Sequence, residues 1–261
     1  MLKHMKPHFI CVGVQKGGTT SLNKYLRNHP DIFMPKNEKH LFDKPLEEGE
    51  LTNKEIKQYE NSFKTDKLIV GEKSPSYCYL KFAIDRIYKY DKNMKIIILF
   101  REPISRAFSH YNMTLNVEGK TLDDVTEKKI LKHFKEKEHL KLNDLEKRDR
   151  RNFIMRGYYD EILEHILSKF PRENVYIGIS EEIKNNKLKY YNEIFEFLGA
   201  KKLEKINYLD RHIRTYTKPI PKSLELYLYN IYKPHVEKFY KILGRKIDVW
   251  ENYYNKLKLE S

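Results

Sequence analysis

The chain has 261 residues, 40% of them hydrophobic and 34% charged, with a formal net charge of +14. That length suits one large α/β domain better than two small ones, and the apolar content excludes wholesale disorder. The basic surface suits an anionic partner, whether nucleic acid, membrane, nucleotide or acidic polysaccharide; a merely solvated lysine surface is the alternative. Cys11 and Cys78 each sit in an apolar or aromatic stretch. They read as buried thiols in a reducing compartment, with no Cys/His spacing for a metal. The apolar run at the N-terminus is too short for a membrane span, and no signal-peptide pattern follows it. A soluble, cytoplasmic protein is expected.

The first predicted element is a strand, "HFICVGV" from His8 to Val14. Paired glycines follow, then a helix with Leu22, Tyr25 and Leu26 at i, i+3, i+4. "KLIVGE" (Lys67 to Glu72) and "KIIILF" (Lys95 to Phe100) are the next strands. A helix opening at Pro103 carries Ile104, Ala107, Phe108 and Tyr111 on one face. From Val117 to Arg151 the chain is dense in charge and sparse in apolar residues. It is expected to form one or two exposed helices, as a solvated spacer or a substrate-contacting flap. Ile162, Leu163, Ile166, Leu167 and Phe170 mark another helix, followed by the strand "NVYIGIS" (Asn174 to Ser180). The last predicted helix runs from Ser223 to Leu243, with a bend at Pro234. The strands are continuous apolar runs, as in sheets covered on both faces. Alternation with helices predicts a three-layer α/β fold, a central parallel sheet flanked by helices. One domain is expected over residues 1–261, with 117–151 as a charged helical insertion.

The glycine turn reads Gly13, Val14, Gln15, Lys16, Gly17, Gly18, Thr19, Thr20, Ser21. An ATPase loop has its lysine directly before the Ser/Thr that holds magnesium. Here threonine takes that place and the loop's lysine, Lys16, comes three residues earlier. The third strand ends in Phe100-Arg101, with no Asp for a metal-bound water. A magnesium-dependent γ-phosphate clamp is therefore poorly matched. A nest of backbone amides at a helix N-terminus is retained, with hydroxyls from Thr19, Thr20 and Ser21, and this suits a phosphate.

Four segments in order, "VGVQKGGTTSL", "NEKHLFD", "GEKSPSY" and "FREPISRAFSHY", resemble the sulfotransferases that use 3'-phosphoadenosine 5'-phosphosulfate (PAPS). The likeness is greatest to the heparan sulfate glucosaminyl 3-O- and N-sulfotransferase branch. It implies a P-loop-like sulfotransferase fold and an enzyme making a sulfate ester. The resemblance places the 5'-phosphosulfate at Lys16, Gly17, Gly18, Thr19, Thr20 and Ser21, and the 3'-phosphate at Arg101 and Ser109. It makes Glu38 the base, with His40 as the internal alternative. His40 and Asp43 would orient the acceptor, and Lys73 would sit near the transferred group. Lys16 is the candidate for stabilising the leaving oxygen, with help from the loop amides. "RHIRTYTKPIP" aligns loosely with a family loop that closes over the nucleotide and carries Lys-Gly-Arg. The matching residues here are His212, Ile213 and Arg214, so only Arg214 is kept. No cysteine stands where that branch has a disulfide.

Sulfuryl transfer needs a base for the attacking hydroxyl and positive charge at the leaving group. The sulfuryl group carries less charge than a phosphoryl group, so lysines and amides suffice and no metal is required. The expected partners are PAPS, released as 3'-phosphoadenosine 5'-phosphate (PAP), and a hydroxyl-bearing acceptor. A carbohydrate, in particular an anionic glycan, is the leading acceptor; a lipid, sterol or secondary-metabolite alcohol is the alternative. A P-loop kinase or NTPase and a basic nucleic-acid-binding module are the readings from other classes. Neither nucleic acid nor a membrane span is expected.

Overall fold

The computed structural model of the chain describes residues 3–45, 47, 49–136, 138, 142, 152–206 and 218–259. In chain order the strands are β1 (Lys3–His4), β2 (Phe9–Gly13), β3 (Ile32–Phe33), β4 (Lys64–Thr65), β5 (Ile69–Lys73), β6 (Lys95–Phe100) and β7 (Val175–Ile179). The helices are α1 (Thr19–Asn28), α2 (Asn53–Asn61), α3 (Lys81–Tyr90), α4 (Pro103–Val117), α5 (Glu127–Lys135), α6 (Tyr159–Lys169), α7 (Ser180–Asn185), α8 (Lys187–Leu198), α9 (Lys222–Leu243) and α10 (Asp248–Leu259).

Five strands form one parallel sheet in the order β3-β5-β2-β6-β7, and β1 pairs antiparallel with β4 beside it. Strand alternation sends neighbouring side chains to opposite faces. Ile10, Val12, Ile96, Ile98 and Phe100 enter a core with residues of α3, α4, α6, α9 and α10. Phe9, Cys11, Ile97 and Leu99 enter a second core with Leu22 and Leu26 of α1 and Ile194 and Phe195 of α8. That is the three-layer arrangement expected from continuous apolar strands. Both cysteines are free and buried.

Register decides where chemistry can sit. Cys11 of β2 lies opposite Lys73, the last residue of β5, and Gly13 lies opposite Ile98 of β6. The segments leaving β2, β5, β6 and β7 therefore emerge at one edge of the sheet. In open α/β sheets that carboxyl edge is where ligands bind.

The described part of the charged stretch after α4, residues 118–136, differs from a solvated spacer. Leu122, Ile130 and Phe134 are buried. The Phe134 ring lies 5.6 Å from that of Tyr111 and 5.3 Å from that of Phe153. The i, i+4 pair on α5 is a narrow apolar stripe, and a fully charged outer face conceals it from composition alone. Phe134→Ala is expected to destabilise the protein by about 3–5 kcal/mol. Thermal or denaturant unfolding checks this; a loss near zero means the segment is not part of the core. Helix α9 continues through Pro234 as one element. His212, Ile213 and Arg214 lie outside the described residues.

Candidate active site

The loop after β2 is pinned before α1 begins. Val14 N–H donates to the Leu99 carbonyl at 2.9 Å, Gly17 N–H to the Val14 carbonyl at 2.9 Å, and Ser180 Oγ to the Gly17 carbonyl at 2.5 Å. A Cβ on Gly17 would lie 2.4 Å from the Leu99 oxygen, so the close approach to β6 requires glycine. Lys16 and Gly18 are left-handed, with φ of 71° and 89°. Gly18 is the N-cap of α1, and among the described residues no side chain caps this helix. No acidic residue occupies its first turn. The amides of Thr19, Thr20 and Ser21 thus open the helix without a side-chain acceptor, in the positive field of the helix dipole.

Arg101 leaves β6 beside this loop. Its Nη1 donates to the Lys16 carbonyl at 3.4 Å, and Tyr159 OH donates to the Arg101 carbonyl at 2.7 Å. The next residue, Glu102, caps α4 through both carboxylate oxygens, to Ile104 N–H at 2.9 Å and Ser105 N–H at 2.7 Å. Ser109 lies further along α4 and is buried.

The second cluster stands on β5 and the 37–43 segment. Lys73 Nζ pairs with Glu38 Oε1 at 2.5 Å, and His40 Nε2 contacts Glu38 Oε2 at 3.0 Å. His40 Nδ1 contacts Asp43 Oδ2 at 3.0 Å, and the Ser76 hydroxyl donates to that same oxygen. The side chain of Glu38 is 35% exposed and that of Asp43 is 1% exposed. Glu38 is open to solvent, whereas Asp43 is buried behind His40 and Ser76. Burial alone would raise the Glu38 pKa, but hydrogen bonds from His40 and Lys73 outweigh it and hold the carboxyl below its usual range. Extended alternation predicts Glu38 and His40 on one side. They do meet, but through a left-handed turn at His40, φ 52°.

All five expected members of this cluster and of the loop lysine are thus placed at the carboxyl edge: Lys16, Glu38, His40, Asp43 and Lys73. Arg156 and Ser76 are additions that the sequence reading did not single out. The Arg156 guanidinium donates to the Gln15 side chain and, at 2.8 Å, to Tyr79 OH, and it stacks 4.0 Å from the Tyr79 ring. It ties the loop to Tyr79. An arginine inside the apolar run "NFIMRGYY" is the signal that marks it.

A sequence model described as "Sulfotransferase domain" matches residues 6–252. The chain belongs to the sulfotransferase family. The chain is 29% identical over 199 residues to human heparan sulfate glucosamine 3-O-sulfotransferase 3B1, covering 76% of this chain and 47% of that protein. It is 31% identical over 196 residues to human heparan sulfate glucosamine 3-O-sulfotransferase 5, covering 74% and 53%. The chain spans about half the length of these curated relatives. A solved sulfotransferase from Alicyclobacillus acidocaldarius superposes with a TM-score of 0.75 at 23% identity, over 95% of this chain and 99% of that one, and supports the fold. The family is one of enzymes that transfer sulfuryl groups. Among the described residues, no helix is long and apolar enough to cross a membrane.

Proposed function

We propose that the chain, acting as one catalytic unit, transfers a sulfuryl group from PAPS to an acceptor hydroxyl with Glu38 as base. One observation carries this reading: an accessible carboxylate is clamped between Lys73 and His40 at the sheet edge that also presents Lys16 and the α1 amides. The donor set fits the nucleotide. Among the described residues no side chain caps the α1 N-terminus, which suits the 5'-phosphate, and Arg101, bonded to the Lys16 carbonyl, offers a guanidinium for the 3'-phosphate. Ser109 is assigned to that same phosphate.

PAPS supplies the sulfuryl group. Glu38 takes the proton from the acceptor oxygen as that oxygen bonds to sulfur and the bond from sulfur to the bridging 5'-phosphate oxygen breaks, releasing PAP. His40, held by Asp43, keeps the Glu38 carboxylate oriented. Lys73 adds positive charge beside the transferred group, and Lys16 with the Gly17–Ser21 amides offsets the charge growing on the leaving oxygen. The names of the heparan sulfate relatives and the +14 charge both support a carbohydrate acceptor bearing negative charge.

Isothermal calorimetry with PAP and with ATP tests the nucleotide. PAP is expected to bind without magnesium and ATP far more weakly. Arg101→Ala should weaken PAP about a hundredfold, since a charged partner of the phosphate is lost. Equal affinity for the two nucleotides defeats the reading.

A further inference from the structure

Glu72 is the last but one residue of β5 and is fully buried. It accepts hydrogen bonds from Ser74 Oγ at 2.9 Å, Tyr59 OH at 3.1 Å, Tyr77 OH at 3.2 Å and the Lys39 backbone N–H. Burying a carboxylate costs several kcal/mol in effective desolvation, so a side chain that merely filled this space would be apolar. What a carboxylate does here is fix proton direction. It accepts only, so each hydroxyl must point its proton inward. The hydroxyl oxygens then face the backbone of the segment above: Ser74 Oγ accepts from His40 N–H at 3.4 Å and Tyr77 OH from Phe42 N–H at 3.5 Å. Those two bonds are long and individually weak. Together with the Lys39 amide they tie three residues of one turn to one buried group.

We propose that Glu72 is a positioning residue: it anchors the 39–42 backbone so that the side chains of Glu38, His40 and Asp43 meet Lys73 and Ser76. This rests on the sulfuryl-transfer reading for its catalytic consequence, but not for the anchoring itself. Residues 39, 40 and 42 face inward through their amides, while the side chains of 38 and 40 form the accessible part of the cluster and the buried side chain of 43 backs His40. Burial pushes the Glu72 carboxyl up to about 6 against the opposing pull of its hydroxyl donors, in keeping with a group retained in spite of its desolvation.

Glu72→Gln has nearly the same shape but one acceptor oxygen and a donor. It can keep both tyrosines, which share Glu72 Oε1, and it reverses the bond to Ser74. Ser74→Ala removes the link to His40 and one donor to the carboxylate, and leaves Glu72 itself with its Tyr59, Tyr77 and Lys39 donors. Both variants of the full chain are compared with wild type by hydrogen-exchange mass spectrometry, PAP calorimetry and steady-state kinetics. Amide exchange over 37–43 is expected to accelerate in both, with PAP affinity at the wild-type value. The kcat should fall about a hundredfold through misplacement of the base, while KM for PAPS is held. Wild-type exchange over 37–43 in both variants overturns the proposal, as does wild-type kcat in the face of faster exchange. If wild type transfers no sulfuryl group, the functional reading falls, and faster exchange in the variants still supports the anchoring.

Discussion

Glu38→Gln is expected to lower kcat about 10³-fold, the scale of a positioned general base, and to leave PAP affinity intact. Glutamine keeps the shape of the side chain and an oxygen for Lys73, so the cluster survives while the proton acceptor is lost. The wild-type carboxylate is available because two neighbours favour its charged form, His40 and Lys73, against burial. The sign follows: a depressed pKa keeps the base ionised as pH falls, through neutrality and into the acid range. Neither variant nor wild type should differ in nucleotide binding, because Glu38 touches Lys73 and His40 and not the α1 amides. Rate measurements with saturating PAPS, paired with PAP calorimetry, separate the two. Turnover that persists in Glu38→Gln moves the base to His40, whose Nε2 already lies 3.0 Å from Glu38.

Legibility in the sequence followed the strength of local physics. β2, β5, β6 and β7 are continuous apolar runs, and continuous apolar runs of that length have few alternatives to a buried strand. β3 is two residues long, Ile32–Phe33, and exists because it pairs with Ile69 and Val70. No periodicity can be read from two residues. The same holds for β1 and β4. The loop glycines were legible because Gly17 and Gly18 meet steric and left-handed demands that few other residues meet. The turn at His40 was not, since its positive φ is held by contacts from Asp43, Ser74 and Ser76, which lie up to 36 positions away in sequence. Arg156 was missed for a like reason: it meets Gln15 across 141 positions. Sequence patterns report which groups are present; partnerships across the sheet edge depend on register, and register appears only in the fold.

Lys16 is expected to carry the second large effect, and its conformation allows charge to be separated from backbone. Its φ of 71° is a region that glycine enters freely and other residues enter at a cost. Were the residue needed only for the shape of the loop, Lys16→Gly would be neutral or stabilising. If the ammonium offsets charge on the leaving oxygen, Lys16→Gly and Lys16→Met should both lose about 10²–10³ in kcat, the range for removing one such electrostatic contact. Either variant keeps the backbone carbonyl that accepts from Arg101, and with it the link between the loop and the end of β6. PAP, which lacks the sulfuryl group, should accordingly bind both variants nearly as well as wild type. Single-turnover rates measured beside PAP affinities decide the matter: full activity in Lys16→Gly removes the lysine from the chemistry and leaves the amides of Gly17 to Ser21 as the whole of the leaving-group site.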